Sequence, residues 1–160
     1  MIYLEDITVA KAQIKANKKL INKLKTLPDK QVDVLFHDLH EEVFEQIDCL
    51  ACANCCKTTS PIFRLIDIER ISKRLKVSSS SFISSYLKID EDGDYVLKSS
   101  PCTFLGEDNK CSIYNDRPLA CKEYPHTNRK KMHQILQLTR KNTEICPAVN
   151  RIFVELKKKV

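Results

Sequence analysis

A mostly α, single-domain α+β fold with a small irregular cysteine-rich β element organised around bound metal is what this sequence predicts. Three observations carry that expectation. Apolar residues recur at helical spacing over residues 8–27, 31–47 and 147–156. The strongest hairpin signal is Asp92-Gly93, between Leu87–Ile89 and Tyr95–Leu97. Eight cysteines stand in a chain of 160 residues that has only two glycines. That length fits one domain. Three parts are expected within it: an N-terminal helical hairpin over 1–48 packed on the core, a cysteine-cluster metal-binding region over 49–125, and a C-terminal segment over 126–160 with a terminal helix.

The first helix should cover 8–27, capped by Thr8, with Val9, Ala12, Ala16, Leu20, Ile21, Leu24 and Leu27 inward. Pro28 ends it. The second, over 31–47, turns Val32, Leu35, Phe36, Leu39, Val43 and Ile47 to one face. The link Pro28-Asp29-Lys30 is short enough for an antiparallel pair. Asp67 reads as the N-cap of a helix reaching Leu75, with Ile68 and Ile71 inward. The serines 78–81 read as the cap of a short helix holding Phe82, Ile83, Tyr86 and Leu87. Asp90-Glu91-Asp92-Gly93-Asp94 lacks the spacing and final Glu of a calcium loop, so it is read as a plain turn. Short strands are expected at Cys102–Leu105 and Cys111–Tyr114. A turn of helix should run from Asp116 to before Pro125, with Pro118 in its first turn. Residues 130–140 fit strand and helix alike. Pro147 should open the last helix, whose inward face is Val149, Ile152, Phe153 and Leu156.

Several function classes are excluded by composition. Gly93 and Gly106 are isolated, so the chain has neither a dinucleotide-binding nor a phosphate-binding glycine loop. The nucleophile elbow of one hydrolase fold is excluded in the same way. No run of about 18 apolar residues is present, so no membrane span is expected. Residues 1–6 lack the basic-then-apolar pattern of a secretory signal, so a cytoplasmic location is expected.

The net charge of +6 is carried by residues 101–160, which hold 12 basic and 6 acidic groups. The densest runs are Arg129-Lys130-Lys131 and Lys157-Lys158-Lys159. No aromatic residues interleave with them, so a solvated face and a basic helix end are preferred to a nucleic-acid surface.

Reduced thiols in this number point to metal. They begin as Cys49-x-x-Cys52-x-x-Cys55-Cys56 and continue as Cys102, Cys111, Cys121 and Cys146. Zinc motifs use the two-residue gap in pairs, whereas three in series is the habit of iron–sulfur loops closed by a remote cysteine. An iron–sulfur cluster is therefore placed ahead of zinc. Cys55 and Cys56, if extended, would face opposite sides and would not serve one mononuclear metal together. Eight thiols would fill two four-ligand sites, or one site with spare thiols. Lys57, Lys110, Arg117 and Lys122 lie near cysteines, and Arg117 is the best placed to balance thiolate charge. His37 and His40 share a helix face but miss the metal-binding helix pattern, so they read as solvated. His126 is the best non-cysteine ligand candidate, and His133 has no supporting neighbours.

Taken with their flanks, these motifs are Cys49-x-x-Cys52-x-x-Cys55-Cys56, Pro101-Cys102-x-Phe104-Leu105, and Cys111-x-Ile113-Tyr114-x-x-Arg117-Pro118-x-x-Cys121-x-x-Tyr124-Pro125. In this order the chain resembles the YkgJ-type CxxCxxCC cysteine-cluster family over residues 49–125, and Cys146-Pro147 resembles a late cysteine of its members. The resemblance implies zinc or iron chelation through cysteines. Its distant, longer relatives include flagellin lysine N-methylases, which use S-adenosylmethionine; that activity is not carried over to this shorter chain. Many members have Gly after the second cysteine, where this chain has Ala53-Asn54; Asn54 is expected to supply the left-handed turn.

The metal ligands expected are thus Cys49, Cys52, Cys55, Cys56, Cys102, Cys111, Cys121 and Cys146. The expected function is a cytoplasmic zinc- or iron-chelating protein whose site is structural or accessory, with a metal ion or cluster as its partner. A protein partner fits such a role. The alternatives are a metalloenzyme acting on a protein side chain and a zinc-stabilised nucleic-acid module. No single thiol is marked as a nucleophile, so no catalytic residue is assigned.

Overall fold

The computed structural model describes residues 3–160; Met1 and Ile2, part of the stretch read as lacking a signal, lie outside them. The chain is mostly helical with one small antiparallel sheet, the α+β class expected. It forms two compact units. Unit 1 takes the residues up to Cys52 together with Pro125–Val160, and unit 2 takes Ala53–Tyr124.

In unit 1 the expected first helix is two helices, α1 (Leu4–Ala12) and α2 (Ile14–Lys25), broken at Gln13. Thr8 is not a cap: it lies inside α1 and its hydroxyl donates to the Leu4 carbonyl at 3.0 Å. The break shifts the helical phase. Ile7 and Ala10 are buried, while Val9 and Ala12 face solvent. Helix α3 (Asp29–Phe44) starts after Pro28, whose fixed φ of −57° suits the helix entry. Its main helical neighbour is the terminal helix α10 (Pro147–Lys159), rather than α2. Pro147 stands in the first turn of α10, where its missing N–H costs nothing. Val149, Ile152, Phe153 and Leu156 are all fully buried, as their spacing predicts. Phe36 and Phe153 meet edge-on at 6.3 Å in the middle of this core.

The stretch that fitted strand and helix alike is a 3-10 turn (Met132–Ile135) running into α9 (Leu136–Asn142). Histidines hold it. The His37 ring nitrogen lies 2.7 Å from the Arg129 carbonyl, and His40 Nδ1 lies 2.7 Å from Thr127 Oγ1. His133 sits 2.9 Å from Asp29 and 3.1 Å from the Leu24 carbonyl. So these three are half-buried tethers, with partners the sequence did not show. Asp33 adds two more ties, accepting from the Lys131 and Met132 amides at 2.9 and 2.8 Å.

In unit 2, α6 (Leu65–Leu75) has its N-cap at Arg64, not at Asp67. Asp67 is instead the third residue of the first turn, reaching back to the Arg64 amide at 3.0 Å, the capping-box position. Ser78 does cap α7 (Ser79–Tyr86), accepting from the Ser81 amide at 3.1 Å. The hairpin β1 (Leu87–Ile89) and β2 (Tyr95–Leu97) pairs Leu87 with Leu97 and Ile89 with Tyr95. Gly93 takes the left-handed φ of 83° that the turn needs. The core of unit 2 is aromatic: Phe82 lies among Phe63, Tyr86 and Phe104, with ring centroids 5.1–6.2 Å away.

Candidate metal centre

The cysteine-rich segment is helical, not extended. Cys49–Cys52 form one short turn, α4, and Asn54–Thr58 another, α5, separated by Ala53 at φ 49°. Ala53, not Asn54, therefore supplies the left-handed residue, in the place where a glycine would cost least. Within α5, Cys55 and Cys56 point about 100° apart rather than to opposite sides. This removes the geometric objection to their serving one centre.

Unit 2 brings its other cysteines to this short helix through backbone bonds. The Cys102 amide donates to the Cys56 carbonyl at 2.8 Å. Leu105 and Cys111 form an isolated antiparallel bridge in place of the two strands expected there. The Ser112 amide donates to the Phe104 carbonyl at 2.8 Å, so Cys102 and Cys111 stand on the two arms of one tight turn. Cys121 lies in α8 (Leu119–Glu123), which follows a 3-10 turn at Tyr114–Asp116 and opens after Pro118.

The face of α6 grips the chain between Cys111 and Cys121. Asp67 is fully buried and accepts from the Leu119 amide at 3.3 Å. Arg70 donates to the carbonyls of Asp116 and Arg117 at 3.0–3.2 Å. Arg74 donates to the Asp116 carboxylate at 2.9 Å and to the Ser112 carbonyl at 3.0 Å. Sequence reading missed this grip; its trace is the Asp67, Arg70, Arg74 spacing of three and four, which puts all three on one helix face. Burial pushes the Asp67 carboxyl up, but hydrogen bonds from Arg64, Arg70 and two backbone amides outweigh it and hold it well below the usual carboxylate range.

Three thiols of unit 2, Cys102, Cys111 and Cys121, feel charge at Cys56. A hydrogen bond with Cys55 brings the Cys56 thiol down to about 7, against the rise that burial causes. Burial raises Cys102 and Cys111, and negative charge at Cys56 adds to both shifts. Cys121 is pushed up to about 12 by burial, then by charge at Cys56, Cys102 and Cys111. Arg117 opposes this at both Cys111 and Cys121, the role read for it from sequence. Its guanidinium also stacks 3.9 Å over the Tyr114 ring.

Unit 1 holds three more cysteines. Cys146, at the N-cap of α10, is pushed up to about 12 by burial, with charge at Cys49 and Cys52 adding to it. The eight cysteines thus divide into Cys55, Cys56, Cys102, Cys111 and Cys121 in unit 2, and Cys49, Cys52 and Cys146 in unit 1. None of the eight is in a disulfide. Among the described residues, no group of three or more His, Cys, Asp or Glu side chains converges closely enough to hold a metal ion. The donor chemistry nonetheless fits one. Thiols suit zinc and iron–sulfur centres alike, and negative charge at Cys56 opposes the ionisation of Cys102, Cys111 and Cys121, a cost that a bound cation would relieve.

Fold and thiols together define a cysteine-rich α+β domain with the donor set of a soft-metal site. A family model, CxxCxxCC, described as a "putative zinc- or iron-chelating domain", matches residues 48–147. The chain belongs to this family. No curated protein and no solved structure matches it. No helix among the described residues is long and apolar enough to cross a membrane.

Proposed function

We propose that this chain is a thiolate metal-binding protein of a reducing, cytoplasmic compartment, carrying an iron–sulfur cluster in preference to zinc, in a structural or accessory role. The observation that carries the reading is that Cys56, Cys102, Cys111 and Cys121 share one compact unit in which the Cys102 amide bonds the Cys56 carbonyl at 2.8 Å, and charge at Cys56 opposes ionisation of the other three. Four thiolates are the full ligand set of a cluster or of structural zinc. In this reading those four are the ligands of the main centre, and Cys55 orients Cys56 through its hydrogen bond. Cys49, Cys52 and Cys146 form a second thiol group in unit 1. A bound cluster would supply one-electron chemistry; zinc would supply only cross-linking.

The test is metal and acid-labile sulfide analysis of anaerobically purified protein, with an ultraviolet–visible spectrum. Brown protein with iron and sulfide in similar amounts supports the cluster. Colourless protein with stoichiometric zinc keeps the chelating role and removes the cluster. Protein with neither, after reconstitution with both, defeats the reading.

A further inference from the structure

The grip of α6 on the 112–119 segment goes beyond what a helix cap needs. Capping requires only that Asp67 accept from the Arg64 amide, which it does at 3.0 Å. Yet the same carboxylate also takes the Arg64 guanidinium at 2.9 and 3.0 Å, Arg70 at 2.9 Å and the Leu119 amide at 3.3 Å. Leu119 is the first residue of α8, two positions before Cys121. Arg70 and Arg74 hold the carbonyls of Ser112, Asp116 and Arg117, beginning one residue after Cys111. Beyond the three-residue 3-10 turn, the chain from Cys111 to α8 forms no helix or strand of its own. Beside its own turn bonds, its course is held by one face of α6.

Resting on the metal-binding reading above, we propose that Asp67 is a positioning residue: with Arg70 and Arg74 it fixes the backbone on which Cys111 and Cys121 present their sulfurs to the metal. A buried ion pair is rarely a strong net stabiliser, but it does fix geometry when every lone pair is used. Partners of this kind, one step removed from the ligands, typically govern metal affinity about 10–100-fold. The role assigned here is orientation, so it should act first at Cys111 and Cys121 and leave Cys49, Cys52 and Cys146 untouched.

The experiment uses the full chain, reduced and metal-free, reloaded under anaerobic conditions with Zn2+, and separately with Fe2+ and sulfide. Alkylation of each cysteine is followed by mass spectrometry, and Zn2+ affinity by competition with a chromophoric chelator. In the unaltered chain Cys56, Cys102, Cys111 and Cys121 should be protected by metal. Asp67→Asn keeps the side chain's shape and removes its charge. It should weaken Zn2+ about 10–100-fold, and Cys111 and Cys121 should react first while Cys49, Cys52 and Cys146 keep their rates. Arg74→Gln, at a side chain 41% exposed, gives a variant less prone to misfolding; it should release Cys111 more than Cys121. Unchanged affinity and protection in both variants overturns the proposal. So does a uniform rise at all eight cysteines in both, which marks general unfolding. If no metal protects any cysteine of the unaltered chain, the metal-binding reading itself falls and takes this inference with it.

Discussion

Truncating Phe82 to Ala should make the folding of unit 2 depend on metal. Phe82 is fully buried and touches three other rings, Phe63, Tyr86 and Phe104. Removing such a ring costs about 3–5 kcal/mol, and the loss of three aromatic contacts puts this site toward the upper end. Unit 2 runs only from Ala53 to Tyr124. A single core of that size class supplies about 3–5 kcal/mol in total. The two figures cancel, so Phe82→Ala should leave unit 2 close to unfolded without metal. A ligand at 1,000 times its dissociation constant adds about 4 kcal/mol, which restores most of the deficit. Hydrogen exchange read by mass spectrometry on peptides from 63–104 would follow this directly. Protection should collapse in the metal-free variant and return on loading with Zn2+ or with iron and sulfide. Protection that survives without metal, or fails to return with it, would refute the reasoning.

Other consequences can be tested separately. Loading metal onto thiols held above their ordinary range must expel protons, so affinity should rise by about tenfold per pH unit for each proton released. Calorimetry in buffers of different ionisation enthalpy counts them; the count should fall as pH rises past 7, where Cys56 is already giving up its proton. In the metal-free chain Cys121 and Cys146 are raised from about 9 in the unfolded state to about 12. Their contribution to stability is present below pH 9 and lost as pH climbs toward 12, so urea midpoints should drop over that window. Burial lowers His40 from its usual 6.5, ahead of the opposing pull of Glu41. Its contribution is present above pH 6.5 and lost on acidification, and His40→Gln should flatten that part of the urea profile. Cys146→Ser puts a better capping side chain at the start of α10. Thermal melts of the metal-free variant should therefore stay within about 1 kcal/mol of the unaltered chain, while metal analysis shows loss of whatever the unit 1 thiols bind.

Features governed by neighbours in sequence were legible in advance. Asp92-Gly93 marked the hairpin between Leu87–Ile89 and Tyr95–Leu97, and Pro147 with the Val149, Ile152, Phe153, Leu156 spacing marked the last helix. The zinc- or iron-chelating family was legible because its motif is a matter of residue order. The break at Gln13 left no trace, since glutamine is an ordinary helix former. Asp67 was placed one turn wrongly because an acid at the cap and an acid in the first turn leave the same local signature. His37, His40 and His133 were misread because their partners lie far along the chain, His37's being 92 residues away. The helical path of Cys49–Thr58 was hidden by Ala53, a residue whose composition gives no warning of left-handed backbone.

The interrupted course of unit 1 bears on synthesis. Its first part ends at Cys52 and its second starts at Pro125, with all of unit 2 between. A ribosome therefore delivers unit 2 entire before α10, the partner of α3, exists. Unit 2 can close its core, and in the proposed reading bind metal, while the opening helices still wait. Compaction of the intervening chain also shortens the loop that unit 1 must close, and each halving of loop length lowers that cost by about 0.6 kcal/mol. On the proposed reading, metal supply during translation would then be felt twice, once by unit 2 and once by the unit whose two parts flank it in sequence.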